Sequence, residues 1–245
     1  MNPQIVERLI AINREFYTTF ASAFSETRSS AQTRLDRIVA YIGDAGKVLD
    51  IGCGNGRLAE RLEREGKQIA YVGVDASSDL IAIASARKRQ LTSVSAEFFI
   101  GDITQPSWSL PFANGEFDIA VALAVLHHVP SFDLRVAVLR DIHALLKPEG
   151  QLVLSNWAFE RNERQRKRIV AWQAAGFDER DLEPGDALLV WKRGGAGYRY
   201  CHLITKEEMV RLADASGFEI VRQFYADADL NLYSVLKKQT GYLSL

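Results

Sequence analysis

The chain has 245 residues, is 47% hydrophobic and 25% charged, and carries a formal net charge of −1, so one or two globular domains with a sizeable core are expected and a whole-protein basic footprint for nucleic acid is absent. No apolar run approaches the ~20 residues that cross a bilayer, and the first residues, MNPQIVERLIAINREF, lack the basic start and apolar block of a signal peptide. Two distant cysteines, Cys53 and Cys201, make neither a disulfide framework nor a zinc spacing, so the expectation is a cytoplasmic protein with no membrane contact and no metal site.

Ile5, Leu9, Ile12, Phe16 and Phe20 recur at helical spacing and predict a helix over 3–24. The polar SETRSS follows, then a second helix to Ile42. Beyond it the pattern alternates. Strands are predicted at 47–51, 69–75, 97–100, 117–123 and 151–156, and helices at 56–65, 78–90 and 132–146, the last closed by Lys147-Pro148. Strands alternating with amphipathic helices imply parallel strands joined by crossovers. Near-continuous apolar strands such as VGVD and DIAVAL fit a sheet covered on both faces.

From Arg161 to Gly197 that rhythm breaks. A basic run, ERNERQRKR, and an acidic run, DERDLEPGD, read as a solvated helix face and a solvated linker. The stretch LVWKRGGAGYRYCHL then sets Trp191, Tyr198, Arg199 and Tyr200 around a glycine-rich turn. It is either a rim that grips a flat anionic ligand or a plain strand-turn-strand. His202 and His143 read as structural and surface residues. A helix over 205–216 carries Thr205 as N-cap with Glu208 three residues on as a capping box, and Gly217 stops it. Strands at 218–225 and 232–236 close the chain as an antiparallel hairpin across ADADLN.

The chemistry concentrates at VLDIGCGNGRL, residues 48–58. A strand ends, glycines stand at 52, 54 and 56, and a helix begins at once, so backbone N–H groups can approach a ligand closely. The spacing differs from the G-x-G-x-x-G that suits a pyrophosphate. Asp50 just before it would repel a phosphate and attract an ammonium. Asp75 ends the next strand nineteen residues beyond Gly56, where a carboxylate can take both hydroxyls of a ribose. Asp102, in IGDI, can accept from an adenine amine, with Ile103 against the ring. An ammonium, a ribose and an adenine without phosphate describe S-adenosylmethionine.

DIGCGNG, VGVD, GD, GEFDIAVALAVLHH and LKPEG, in that order, resemble the class I S-adenosylmethionine-dependent methyltransferases over residues 45–157. The resemblance implies an α/β fold: a seven-stranded, mostly parallel Rossmann-like methyltransferase sheet with helices on both faces and an antiparallel last strand. One methyltransferase domain, 1–245, would then comprise N-terminal helices (1–44), a cofactor-binding core (45–160), a substrate-side insertion (161–204) and closing elements (205–238). It places Asp50, Gly52, Cys53, Gly54, Gly56, Asp75, Ala76, Asp102, Ile103, Leu123 and Ala124 at the donor.

The flanks FYTTFASAFSETR, GDALLVWKR, GYRYCHLITKEEM and NLYSVLKK resemble one subfamily, the eukaryotic tRNA wobble-uridine carboxymethyl methyltransferases, with YCHLI where that subfamily has YYHLF and NL where it has NW. That resemblance implies esterification of the carboxylate of 5-carboxymethyluridine in tRNA, assisted by a small activator subunit. Arg28 would clamp the carboxylate and His127 would assist as the second catalytic residue. His128, Trp191, Tyr198, Arg199, Tyr200, Asn231 and Tyr233 would meet the substrate, the aromatics by stacking and Arg199 at phosphates. The alternatives are a small-molecule O- or C-methyltransferase acting on a carboxylic acid, quinone or lipid intermediate, and a donor-binding protein without activity.

Overall fold

A computed structural model describes residues 1–26, 32–192 and 195–239. Helix α1 spans Pro3–Glu26 and loses helical geometry at Phe20, and α2 spans Gln32–Val39. Then β1 (Ala45–Ile51), α3 (Arg57–Arg64), β2 (Gln68–Asp75), α4 (Ser78–Arg87), β3 (Ser95–Ile100), β4 (Phe117–Leu123), α5 (Phe132–Leu145) and β5 (Leu146–Trp157) alternate as the apolar pattern requires. The remainder comprises α6 (Glu163–Arg166), β6 (Ile169–Val170), β7 (Asp186–Trp191), β8 (Gly197–His202), α7 (Lys206–Ser216), β9 (Phe218–Ala226) and β10 (Asn231–Lys238).

The main sheet has seven strands in the order β3-β2-β1-β4-β5-β10-β9. β1 to β5 pair in parallel, and β10 lies antiparallel between β5 and β9. This is the expected Rossmann-like methyltransferase sheet. Its strands are apolar on both faces because both are covered. Leu49, Ile51, Ala120, Leu152 and Leu154 pack with α5 and α7 on one side, while Val48, Val121, Val153 and Val235 pack with α2 and α3 on the other. Ser77 caps α4 by accepting from Leu80 N–H, Ser131 caps α5 from Leu134 N–H, and Gly217 ends α7 in the left-handed region.

Thr205 caps α7, accepting from Glu208 N–H at 3.1 Å, but only half of the expected capping box forms. The Glu208 carboxylate turns inward instead, to Arg135 and His202. The acidic run is a solvated linker only in its first half, where Asp178, Glu179 and Asp181 are exposed. Glu183 pairs with the buried Arg135 at 2.7 Å, and Asp186 accepts from His202 and from the Tyr200 hydroxyl at 2.7 Å each. Burial alone would lower the His202 pKa, and the two carboxylates beside it outweigh that and raise it. These carboxylates pin the 161–204 segment to the core, where it forms a second sheet, β6-β7-β8, against α1.

Candidate active site

The carboxyl ends of β1 to β5 open into one cavity of about 650 Å³, a volume typical of small-ligand sites. α1 crosses it and lines it with Ile10, Asn13, Arg14, Tyr17 and Thr18. Asp50 lies at the floor, 4% exposed, and accepts from the Tyr71 hydroxyl. Burial pushes its pKa up to about 7. The Tyr71 hydrogen bond opposes that rise, and the charge of Asp75 adds to it.

The glycine turn begins where Gly52 and Cys53 N–H groups both donate to Val74 O, at 2.8 and 3.0 Å. Gly52 has φ 65°, and a Cβ there would lie 2.3 Å from Val125 Cγ2. Gly54, φ 56°, faces open space, with nothing within 4 Å of a Cβ. The Asp75 carboxylate ties the turn to β2, accepting from Gly54 N–H and from Ser77 N–H, at 2.9 Å each. Asp102 accepts from Thr104 through one oxygen and pairs with Arg14 of α1 at 3.1 Å through the other. Ala76, Ile103, Leu123 and Ala124 complete this end. Ala124 has φ 59°, a strained value for a residue with a side chain, and its N–H is held by Ser155 O at 2.9 Å. An open glycine turn between the buried Asp50 and the half-buried Asp75 and Asp102 suits a ligand with a cationic amino acid, a diol and a purine amine. Burial raises the Cys53 thiol pKa well above its ordinary value and that of Cys201 to about 12, so neither supplies a thiolate nucleophile.

The opposite end is lined by Asn13, Tyr17, His128, Ser155, Asn231 and Tyr233. His128 Nδ1 lies 2.9 Å from the Tyr200 carbonyl, which can only accept, so Nδ1 carries the proton. Nε2 lies 3.0 Å from the Tyr17 hydroxyl, and in the neutral ring it accepts from that hydroxyl. Asn13 bridges α1 to β8, accepting from Tyr200 N–H and donating to the carbonyls of His128 and Tyr200. Asn231 Nδ2 and the Tyr233 hydroxyl converge on Asp227 Oδ2, at 2.6 and 2.7 Å.

Several expected site residues fall elsewhere. Arg28 lies outside the described residues. His127 is fully buried behind the wall, stacked on Trp157 at 5.0 Å, and His128 takes the cavity position. The aromatic stretch does not form a rim. Successive residues of β8 point to opposite faces of the small sheet, and both faces are covered. Tyr198 and Tyr200 pack with Leu9, Trp172 and Phe177, and Tyr200 is fully buried. Trp191 packs with Phe16 and Phe20, and Arg199 lies between Phe16, Trp157 and Trp191. None of the four lines the cavity. The sequence reading missed Asn13, Tyr17, Ser155 and Asp227. Asn13 left a signal as a polar residue inside the apolar stripe of α1, and Tyr17 lies within the FYTTFASAFSETR stretch.

Comparison with known proteins follows the same geometry. A family model described as a methyltransferase domain matches residues 24–223. The tRNA (carboxymethyluridine(34)-5-O)-methyltransferase of Mus musculus is 29% identical over 153 residues, covering 62% of this chain and 21% of its own length. The chain thus spans about a fifth of that relative. The ubiquinone biosynthesis O-methyltransferase of Xanthomonas campestris is 32% identical over 123 residues, 50% of this chain and 48% of that protein. Among solved structures, a SAM-dependent methyltransferase of Methanosarcina mazei superimposes with a TM-score of 0.64 at 26% identity, covering 83% of this chain and 97% of that one. No helix among the described residues is long and apolar enough to cross a membrane.

Proposed function

This chain belongs to the methyltransferase-domain family and is an S-adenosylmethionine-dependent methyltransferase, and from that premise we propose that it esterifies a carboxylate, the carboxymethyl group of a tRNA wobble uridine. The observation that carries this is the bonding of His128. Both ring nitrogens are engaged, by Tyr200 O and by Tyr17 Oη, so the ring is not poised to take a proton from the acceptor. Asn231 and Tyr233 are turned to Asp227, and among the described residues the acceptor end lines no carboxylate or lysine. Such a site suits an acceptor that is already nucleophilic, and a carboxylate needs no base. The likeness to the mouse tRNA enzyme supports the nucleoside.

S-adenosylmethionine supplies, when bound, a methyl group on a cationic sulfonium. The protein's part is positional. We assign Asp50 to the ammonium, Asp75 to the ribose hydroxyls and Asp102 with Ile103 to the adenine. The Arg14–Asp102 ion pair holds α1 across that end, so the amine of an adenine would compete with Arg14 for the same carboxylate. α1 crosses the cavity and covers part of its mouth. That partial cover also supports the second reading, an O-methyltransferase of small carboxylic acids, in line with the likeness to the ubiquinone enzyme.

Asp50 makes donor binding pH-dependent. Burial pushes its carboxyl up to about 7, from an ordinary 3.8, and only the ionised form attracts the ammonium. Protons therefore compete as the pH falls through 7. Donor affinity should be about fivefold weaker at pH 6 than at pH 7 and fall by roughly tenfold per further unit. The same raised pKa makes the empty protein lose stability as pH rises from about 4 to 7, and donor binding offsets that loss. Calorimetric titration of S-adenosylhomocysteine across this range checks the slope, and a flat profile would remove Asp50 from the ammonium site.

The substrate assignment is tested by incubating the protein with methyl-labelled donor and tRNA bearing 5-carboxymethyluridine, then resolving the nucleosides by mass spectrometry. Label on the methyl ester of that nucleoside is the expected result. Label confined to a parallel pool of small acids would transfer the assignment to the second reading.

A further inference from the structure

Arg199 is the most conspicuous group in the molecule that the site above leaves unused. Its side chain is 1% exposed, and its Nε and Nη1 are buried without a hydrogen-bond partner. No carboxylate pairs with it among the described residues. Its charge is met only by ring faces, with the guanidinium carbon 4.7 Å from the centroids of Phe16 and Trp157 and 5.2 Å from that of Trp191. Arg168 adds positive charge nearby, and burial together with the charges of Arg164 and Arg199 lowers its pKa. A buried guanidinium without an anion is costly to a fold. Rings stabilise it from its faces and leave its N–H edge to an anion lying in the plane of the fork.

The slot adjoins the acceptor end of the cavity. Trp157 pairs across strands with Asn231, and the edge of Trp157 meets His128 at 5.7 Å. Phe16 meets Tyr17, a cavity residue, at 5.1 Å. One ring therefore stands between the guanidinium and residues of the cavity wall, so an anion reaching Arg199 from the cavity requires Phe16 or Trp157 to turn aside. A carboxylate on a methylene is flat and carries a single arm, whereas a phosphodiester carries two ester arms and asks more room at a guanidinium that is 1% exposed.

We propose that Arg199 is the anchor for the acceptor carboxylate, holding it in the slot of Phe16, Trp157 and Trp191. This rests on the carboxylate-acceptor reading and gives Arg199 the clamp role that the sequence assigned to Arg28, in place of the phosphate contacts expected of it. It applies equally to a carboxymethyl nucleoside and to a small carboxylic acid, since both present the same group.

The test is calorimetric binding to the full chain saturated with S-adenosylhomocysteine. Two acid–amide pairs serve as probes, 5-carboxymethyluridine with 5-carbamoylmethyluridine and phenylacetate with phenylacetamide, and uridine 5′-monophosphate is the third arm. The wild type should prefer the acid in at least one pair by about tenfold or more. Arg199→Met should abolish that preference while the melting temperature holds or rises, because an unpaired buried charge is replaced by an apolar chain. Arg199→Lys keeps the charge and loses the fork, so its preference should fall between the two. The proposal is overturned if the wild type prefers neither acid, if the Met variant keeps the preference, or if the Met variant fails to fold, which would make the stacked cation structural. A preference for the nucleotide phosphate alone would also overturn it. Should tRNA accept no methyl group while the phenylacetate pair still discriminates, the nucleoside is wrong and the anchor stands.

Discussion

Asp75→Ala is expected to weaken S-adenosylhomocysteine binding by about 100-fold, the loss of roughly two hydrogen bonds to a charged group. The carboxylate holds two positions at once. It fixes the glycine turn through Gly54 N–H and starts the loop before α4 through Ser77 N–H, and it lines the cavity where we place the ribose. Its removal takes an acceptor from the ligand and leaves the Gly54 N–H without its partner. Asp75→Asn keeps the shape and one acceptor oxygen, so about tenfold weakening is expected there. Calorimetry reads both, and unchanged affinity in the Ala variant would place the donor elsewhere.

Gly52→Ala should cost about 3 kcal/mol of stability, from roughly 1–2 kcal/mol of left-handed backbone strain and a similar overpacking cost. For a chain of this size that lowers the melting temperature by about 6–12 °C. The added Cβ would meet Val125 Cγ2 at 2.3 Å, and Val125 follows the already strained Ala124, so the clash is not relieved by a simple shift. Gly54→Ala is the internal control. Its φ is also positive, but nothing lies within 4 Å of the new Cβ, so only the backbone strain of about 1 kcal/mol should appear. Thermal melts that rank the two alike would show that the turn is softer than its contacts imply.

The end of the cavity that we assign to the donor was legible because its residues lie close to the strand ends. Asp50, the three glycines and Asp75 sit at strand ends, and a parallel sheet brings successive strand ends together whatever the loops do. The acceptor half was less so. Asn13 and Tyr17 reach the cavity only because α1 packs on β8, 187 residues on from Asn13. Asp227 read as a turn residue, and its role depends on β10 pairing with β5. The aromatic stretch misled because composition says nothing about which face of a strand is covered. In β8 both faces are, which turned an expected rim into parts of three small cores. The acidic run misled in the same way, since a partner for Glu183 was visible only once Arg135 was seen to be buried.

The claim at the centre of this account is that the acceptor is a carboxylate, and the stability of the product tests it most directly. An oxygen of a carboxylate that takes the methyl group forms an ester, with the carbon–sulfur bond of the donor broken and S-adenosylhomocysteine released. Product made from methyl-labelled donor, on tRNA or on a small acid, should therefore release its label as volatile methanol under mild alkali. Label that survives alkali, as methyl on carbon, nitrogen or a phenolic oxygen would, contradicts the carboxylate acceptor and with it the role proposed for Arg199.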